Sequence, residues 1–423
     1  SDFLRRHGMH PQRAELSVSA AAFLELMEAG LRGKSSVPMI PTYLRAEGEL
    51  PKDVPVAVVD LGGTNLRVAR VTLTDEGPRV EGLTVVPAPG ASKPVSWASF
   101  IGAVADLLLP ILPGCDRVGF SFAHPAVMTP NHDGRVISLT KQVRVTGARG
   151  RFLCASLSEA LAARGAGGLR FVALNDTAAV LCAGLTAFPP ERYDGCIGLV
   201  WGTGFNVCCA LDAARLTKLS HPPEGTILVN QECGGFEALP QGDADRLLDS
   251  FSVDPGVCVC EKMVSGVYWG ELLRRTLALA ADDGLLSRQA CTALFFLPHL
   301  SAAEADAFVR APAGDNPLAR ICATGEDRAF VRAVLFSLAD RAARLVCANL
   351  TATLLLTGAG RDAARPVCVV TEGSVICRGQ LAQPMLESYL EQFTAQKMGR
   401  HCVLSAVPNA NFAGIAAAAL LNS

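Results

Sequence analysis

Apolar and polar positions along the chain fall into short strand patterns that stop at glycine turns, and into longer stretches with helical spacing. Val56-Ala57-Val58-Val59-Asp60 reads as a buried strand ending at Gly62-Gly63. Leu66 to Leu73 then alternates apolar with polar residues, so the two runs predict a hairpin around the glycine pair. The same layout returns at Gly195 to Trp201, which runs into Gly202-Thr203-Gly204 and continues through Asn206 to Leu211. Each turn opens a long segment of mixed strands and helices. An internal duplication at domain scale, with two α/β lobes and a cleft between them, accounts for this better than a short repeat.

The remaining pattern fills in around these two units. Residues 17 to 31 have helical spacing and end near Gly30 and Gly33, and a Pro-containing connection follows from Val37 to Val54. Helices are expected over 265–279 and 327–356, a strand over 366–370 ending at Thr371-Glu372-Gly373-Ser374, and an Ala-rich final helix with Asn409 available as its cap. Phe171 to Leu174 is a strand that ends in Asn175-Asp176-Thr177, and ligands usually bind at the carboxyl ends of strands in open α/β sheets. Asp176 is then either a cleft carboxylate or the N-cap of a helix over 178–185.

Composition narrows the class. A chain of 423 residues, half of them apolar, is long enough for two lobes with their own cores. A net charge of -2 leaves no surplus of Lys and Arg for nucleic-acid phosphates, so a small or neutral substrate is expected and nucleic acid is not. The 15 cysteines show no repeated zinc-type spacing, and Cys208-Cys209 and Cys258-Val259-Cys260 read as small core residues without metal. The N-terminal segment lacks the layout of a secretory signal, and no apolar run reaches the roughly 18 residues that span a bilayer. A soluble, cytoplasmic protein without membrane contact is expected.

A Gly-Gly-Thr turn between strands presents successive backbone N–H groups that no side chain blocks, and such concave donor sets bind phosphate oxygens. One such turn alone reads as a tight hairpin in preference to a phosphate site; two, each bearing Thr and Asn, reverse that preference. Asp60, at the strand end, is placed to orient Mg²⁺ through water. Gly33-Lys34-Ser35 imitates the end of a Walker loop, but Glu28 stands where that motif needs its first glycine and no strand precedes it.

Together these segments resemble the hexokinase family from about Ser35 to the end of the sequence. Val59-Asp60-Leu61-Gly62-Gly63-Thr64-Asn65-Leu66-Arg67-Val68 is similar to the family's first phosphate motif, and Gly202-Thr203-Gly204-Phe205-Asn206 to its second. Leu139-Thr140-Lys141 and Asn175-Asp176-Thr177 resemble its sugar-binding segments. Asn230-Gln231-Glu232-Cys233-Gly234 and the stretch from Pro255 to Gly266 resemble its two carboxylate segments.

The resemblance implies two actin-like (ribonuclease H-like) α/β lobes with mixed five-stranded sheets. The small lobe would comprise 56–175 plus 407–423, and the large lobe 1–55 plus 176–406. It implies ATP and Mg²⁺ as cofactors, a hexose such as glucose as substrate, transfer to the 6-hydroxyl, and closure of the cleft on the sugar. Asp176 would be the base, and Thr140, Lys141, Asn175, Asn206, Glu232 and Glu261 would hold ring hydroxyls. Asp60, Gly62, Gly63, Thr64, Asn65, Arg67, Gly202, Thr203, Gly266, Gly373 and Ser374 would hold the nucleotide. Either a monomer or a homodimer is compatible with it.

Several positions depart from the family pattern. Ala123 stands where the family usually has a sugar-contacting Ser, His124 replaces a usual Phe, Cys258 a common Gln and Cys233 a common Trp, while Glu372 replaces the usual Asp beside Gly373-Ser374. A catalytically silent sugar sensor, or a kinase with another phosphoryl donor or another sugar, is the alternative.

Overall fold

A computed structural model describes residues 2–63, 65–139 and 143–423. Helix α1 (Leu16–Arg32) leads to strand β1 (Ile40–Arg45), then β2 (Pro55–Leu61), β3 (Asn65–Thr74), β4 (Gly77–Pro87), helix α2 (Trp97–Leu108), β5 (Arg117–Phe122), α3 (Leu153–Ala162) and β6 (Arg170–Leu174). Helix α4 (Asp176–Ala187) precedes β7 (Cys196–Trp201), β8 (Phe205–Asp212) and β9 (Thr226–Asn230). The chain continues with α5 (Val259–Val264), α6 (Gly266–Asp282), α7 (Gly325–Thr357), β10 (Val367–Glu372), α8 (Ser374–Arg378), β11 (Cys402–Ser405) and α9 (Ala410–Asn422).

The first sheet has the order β6-β5-β2-β3-β4 and the second β1-β9-β8-β7-β10-β11. In each, an antiparallel meander (β2-β3-β4, β7-β8-β9) is extended by two parallel strands, so the expected duplication is visible as the same five-strand order in both. The second sheet has six strands rather than the expected five. The extra one is β1, inside the segment read as a connection, and it pairs antiparallel with β9 at the sheet edge. Pro41 lies in it, which an edge strand tolerates because no second neighbour needs its missing N–H.

Period-two alternation sorts β2 between two layers. Ala57, Val59 and Leu61 pack with Trp97, Phe100, Val104 and Leu157 of α2 and α3. Val56 and Val58 face the other way, against Ile415 and Ala419 of α9 and Ala178 and Cys182 of α4. Strand β7 divides likewise: Ile197 and Leu199 join the cluster of α1 and α7, while Val180 of α4 packs with Val370 and Val200. Helices α4 and α9 therefore form a shared layer between the sheets. Each fully buried aliphatic side chain there contributes about 1.5–3 kcal/mol. Their approach is close enough that a Cβ on Gly414 would stand 1.7 Å from the Ala179 carbonyl oxygen, so that position admits only glycine.

Candidate active site

The alternation that buries Val56 and Val58 places Asp60 on the same face, where it is 1% exposed. Across the hairpin its register partner is Arg67, and on the other side it is Ser121 of β5. The Arg67 guanidinium pairs with the Asp60 carboxylate. Burial pushes the Asp60 carboxyl up to about 6, Arg67 opposes this, and the charges of Asp176 and Glu372 reinforce it. Glu372 ends β10 of the second sheet, directly across from Val200. The carboxyl ends of the two sheets thus lie within electrostatic reach of each other.

Asn175, not Asp176, caps α4: its Oδ1 accepts the Ala178 N–H at 2.8 Å. Asp176 is the first helical residue, and its Oδ1 accepts the Thr177 N–H at 2.8 Å and the Thr177 hydroxyl at 3.2 Å. The choice left open by the sequence resolves in favour of a partly exposed carboxylate at a helix N-terminus, where the backbone dipole favours its negative charge.

The second turn is built by close contact of glycines. A Cβ on Gly202 would lie 2.8 Å from the Gly373 Cα, and one on Gly266 would lie 2.8 Å from the Gly202 carbonyl oxygen. Gly373 adopts φ +118°, and its Cβ would lie 2.5 Å from the Trp201 carbonyl carbon. The Gly266 N–H donates to the Gly202 carbonyl at 2.7 Å, and Val267 N–H to the Thr203 carbonyl at 3.3 Å, which seats the start of α6 on this turn. Beside it opens a mostly apolar cavity of about 280 Å³, lined by Trp201, Val264, Trp269, Ser374, Val375 and Arg378 among others. The sequence reading named Gly202, Gly266, Gly373 and Ser374, all of which meet here, but missed Trp201 and Trp269. Their place beside the glycine turn and at the start of α6 was the available signal.

The predicted sugar residues of this half also converge. The Asn206 amide donates to Asn230 Oδ1 at 2.8 Å and to Glu232 Oε1 at 3.0 Å, and Asn230 donates to Glu232 as well. Glu232 adopts φ 54°, a left-handed turn directly after β9 that aims its carboxylate back over β8. Glu261 approaches from α5: a Cβ on Gly234 would stand 2.9 Å from its Oε2, and one on Gly204 3.3 Å from its Oε1. The second turn and the two carboxylate segments are therefore one packed unit. Cys258 caps α5 with φ 51°, and Cys233 is buried beneath Asn206, its Sγ 3.8 Å from Oδ1. Asn230, within the first carboxylate segment, is itself a member of the network.

Gly62 closes the first turn by donating to the Asn65 carbonyl at 3.0 Å. Thr64, Thr140 and Lys141 lie outside the described residues. Ala123 follows β5, its N–H donating to the Leu61 carbonyl at 3.2 Å, and the His124 ring packs against Phe122 with centroids 5.2 Å apart, in keeping with a packing role for that histidine. Asn409 occupies the cap position of α9 with φ 53° but makes no side-chain cap bond, so the expected capping is absent. Among the described residues no group of three His, Cys, Asp or Glu side chains converges to ligate a metal directly. Asp176 and Glu372 lie within electrostatic reach of Asp60, and carboxylates set apart in this way fit only a cation that keeps its own waters, as Mg²⁺ does. Among the described residues, no helix is long and apolar enough to cross a membrane.

Comparison with known proteins adds to this geometry. Two hexokinase family models match the chain, over residues 6–186 and 196–421. Hexokinase-1 of Schizosaccharomyces pombe is 27% identical over 93% of this chain and 84% of its own length, and Hexokinase-1 of Oryza sativa subsp. japonica is 33% identical over 62% of this chain and 56% of its own. Several matched relatives are longer: 46% of human Hexokinase-3 is covered. The structure of Schistosoma mansoni hexokinase complexed with glucose superposes with a TM-score of 0.80, at 22% identity, over 99% of this chain and 98% of the other, which establishes the shared fold. With both halves matched, the chain belongs to the hexokinase family.

Proposed function

We propose that this chain transfers the γ-phosphoryl group of MgATP to the 6-hydroxyl of a hexose, with Asp176 as general base. The observation that carries the reading is the placement of Asp176. It sits at the first residue of α4 between the two sheets, one oxygen held by Thr177 and the carboxylate within electrostatic reach of Asp60. Glucose is the first hexose to test, since the Schistosoma mansoni hexokinase was solved as a glucose complex.

Asn206, Asn230, Glu232 and Glu261, with Asn175, Thr140 and Lys141, orient the ring hydroxyls. A sugar lacking one of those hydroxyls leaves a buried polar group unpaired, at about 1–3 kcal/mol. Asp176 accepts the proton of the 6-hydroxyl. The backbone of both glycine turns, with Thr64, Thr203 and Arg67, grips the phosphates; the cavity beside Trp201 and Ser374 takes the nucleoside; Asp60 holds Mg²⁺ through water. Bound MgATP supplies the transferable phosphoryl group and the charge neutralisation, and the protein contributes positioning and the base. Closure of a small lobe (56–175 plus 407–423) on a large lobe (1–55 plus 176–406) excludes the water that would otherwise compete for the phosphoryl group.

The test is ADP formation by the purified chain with a panel of hexoses and phosphoryl donors. Hexose-dependent ADP formation from MgATP supports the reading. If no hexose is phosphorylated but glucose raises the melting temperature, the chain binds sugar without chemistry and the kinase reading fails.

A further inference from the structure

Helix α9 is built almost entirely of Ala, Gly, Ile and Leu, and nearly every residue in it is buried. Its one aromatic residue is Phe412, in the first turn and 5% exposed. The Phe412 ring lies beneath the Arg67 guanidinium, with the guanidinium carbon 5.7 Å from the ring centroid, within cation–π range. Arg67 belongs to the first hairpin, 35% of its side chain remains exposed, and among the described residues its ion-pair partner is Asp60. The guanidinium is thus bracketed by a buried carboxylate on the neighbouring strand and by an aromatic ring from the C-terminal helix.

An arginine carries several rotatable bonds and five N–H donors, so its use at a phosphate site depends on how few orientations it samples. The ion pair with Asp60 holds one terminal nitrogen of the guanidinium. A ring within cation–π range of the guanidinium restricts the remaining freedom without occupying a donor. The Asp60 carboxylate gains as well, because a guanidinium that cannot swing away continues to offset its burial.

From this bracket the geometry assigns Phe412 as a positioning residue for the nucleotide: through its ring, the C-terminal helix holds Arg67 over Asp60 in the orientation that meets the phosphates. The assignment rests on the kinase reading above for the identity of the anion, and on the contact itself for the positioning.

The experiment uses the full chain with Phe412→Leu, Phe412→Tyr, Arg67→Lys and the Phe412→Leu/Arg67→Lys double variant. Each is measured by steady-state kinetics and by calorimetric titration with MgATP in the absence of hexose. Phe412→Leu should raise KM for MgATP and weaken MgATP binding about threefold to tenfold, while KM for the hexose stays within twofold. Phe412→Tyr, which keeps the ring, should match the wild type. The double variant should lose little beyond Arg67→Lys alone, since both changes act on the same group. An unchanged MgATP affinity in Phe412→Leu, an equal loss in Phe412→Tyr, or full additivity in the double variant would overturn the assignment. If Phe412→Leu does not fold, Phe412→Met, whose flexible side chain fills the site without a ring, takes its place alone and in the double variant, with the same expected and overturning results. MgATP binding without turnover in the wild type would defeat the kinase reading and leave the titrations to judge Phe412; no MgATP binding at all would overturn both.

Discussion

The two glycine turns occupy equivalent places in a duplicated scaffold, yet they are built on opposite principles. At the first, the strand-end residue is Asp60, paired across the hairpin with Arg67. At the second, the equivalent pair is Val200 with Asn206. At Gly62 the first turn is sterically open: among the described residues, a Cβ there would meet nothing nearer than the Asn65 carbonyl oxygen at 3.8 Å. The second is closed by contact with Gly266 and Gly373. One copy keeps its charge and its space; the other trades both for a closed wall that carries the Asn206–Asn230–Glu232 network and borders the apolar cavity.

That contrast can be broken by substitution. The largest effect belongs to the charged side: Asp176→Asn should lower kcat by about 10²–10⁴-fold, the usual range for losing a general base. On the wall, Asn206→Ala removes the donor to both Asn230 and Glu232 and should raise KM for the hexose about 10–100-fold, as expected for a hydrogen bond to a charged group, with KM for MgATP unchanged. Gly373→Ala must place a Cβ against the Trp201 backbone at a left-handed φ. It should lower the unfolding free energy by about 1–3 kcal/mol for overpacking alone, read from the urea midpoint. Gly62→Ala should leave that midpoint within about 0.5 kcal/mol and act only on KM for MgATP. Equal destabilisation by the two alanines would erase the distinction between an open and a closed turn.

The charged side also makes a pH prediction. Because the Asp60 carboxyl is pushed up to about 6 from an ordinary value near 3.8, the folded state holds this proton more tightly than the unfolded one. Its contribution to stability is therefore fully present below pH 4 and is lost as pH rises through about 6. The proposed role of its anion toward the metal runs the other way. The kcat/KM for MgATP should rise through pH 6, and Asp60→Asn should lose both this limb and most of the activity.

Much of this was legible along the chain, for a physical reason. Local signals such as the alternation in Leu66–Leu73, the glycine pair at 62–63 and the repeat at Gly202 constrain the backbone directly, and all recur in the structure as β3 and the two turns. What escaped was set by distant pairing. The edge strand β1 is invisible without its partner β9, since its proline content reads as a connection, and the positive φ that Tyr43 adopts within it leaves no trace in the sequence. The meeting of Gly202, Gly266 and Gly373 brings together three segments that are far apart in sequence, and the Phe412–Arg67 contact joins residues on opposite ends of the chain. Which of Asn175 and Asp176 caps α4 depends on a one-residue shift in helix start, below the resolution of periodicity.

The most direct test of the central claim, that both turns serve one phosphoryl transfer in which Asp176 is the base, is glucose-dependent ADP formation by Asp176→Asn beside the wild type. The melting temperature of each is taken with and without glucose. The account predicts the kcat loss given above with the glucose-induced stabilisation retained; turnover equal to that of the wild type would contradict it.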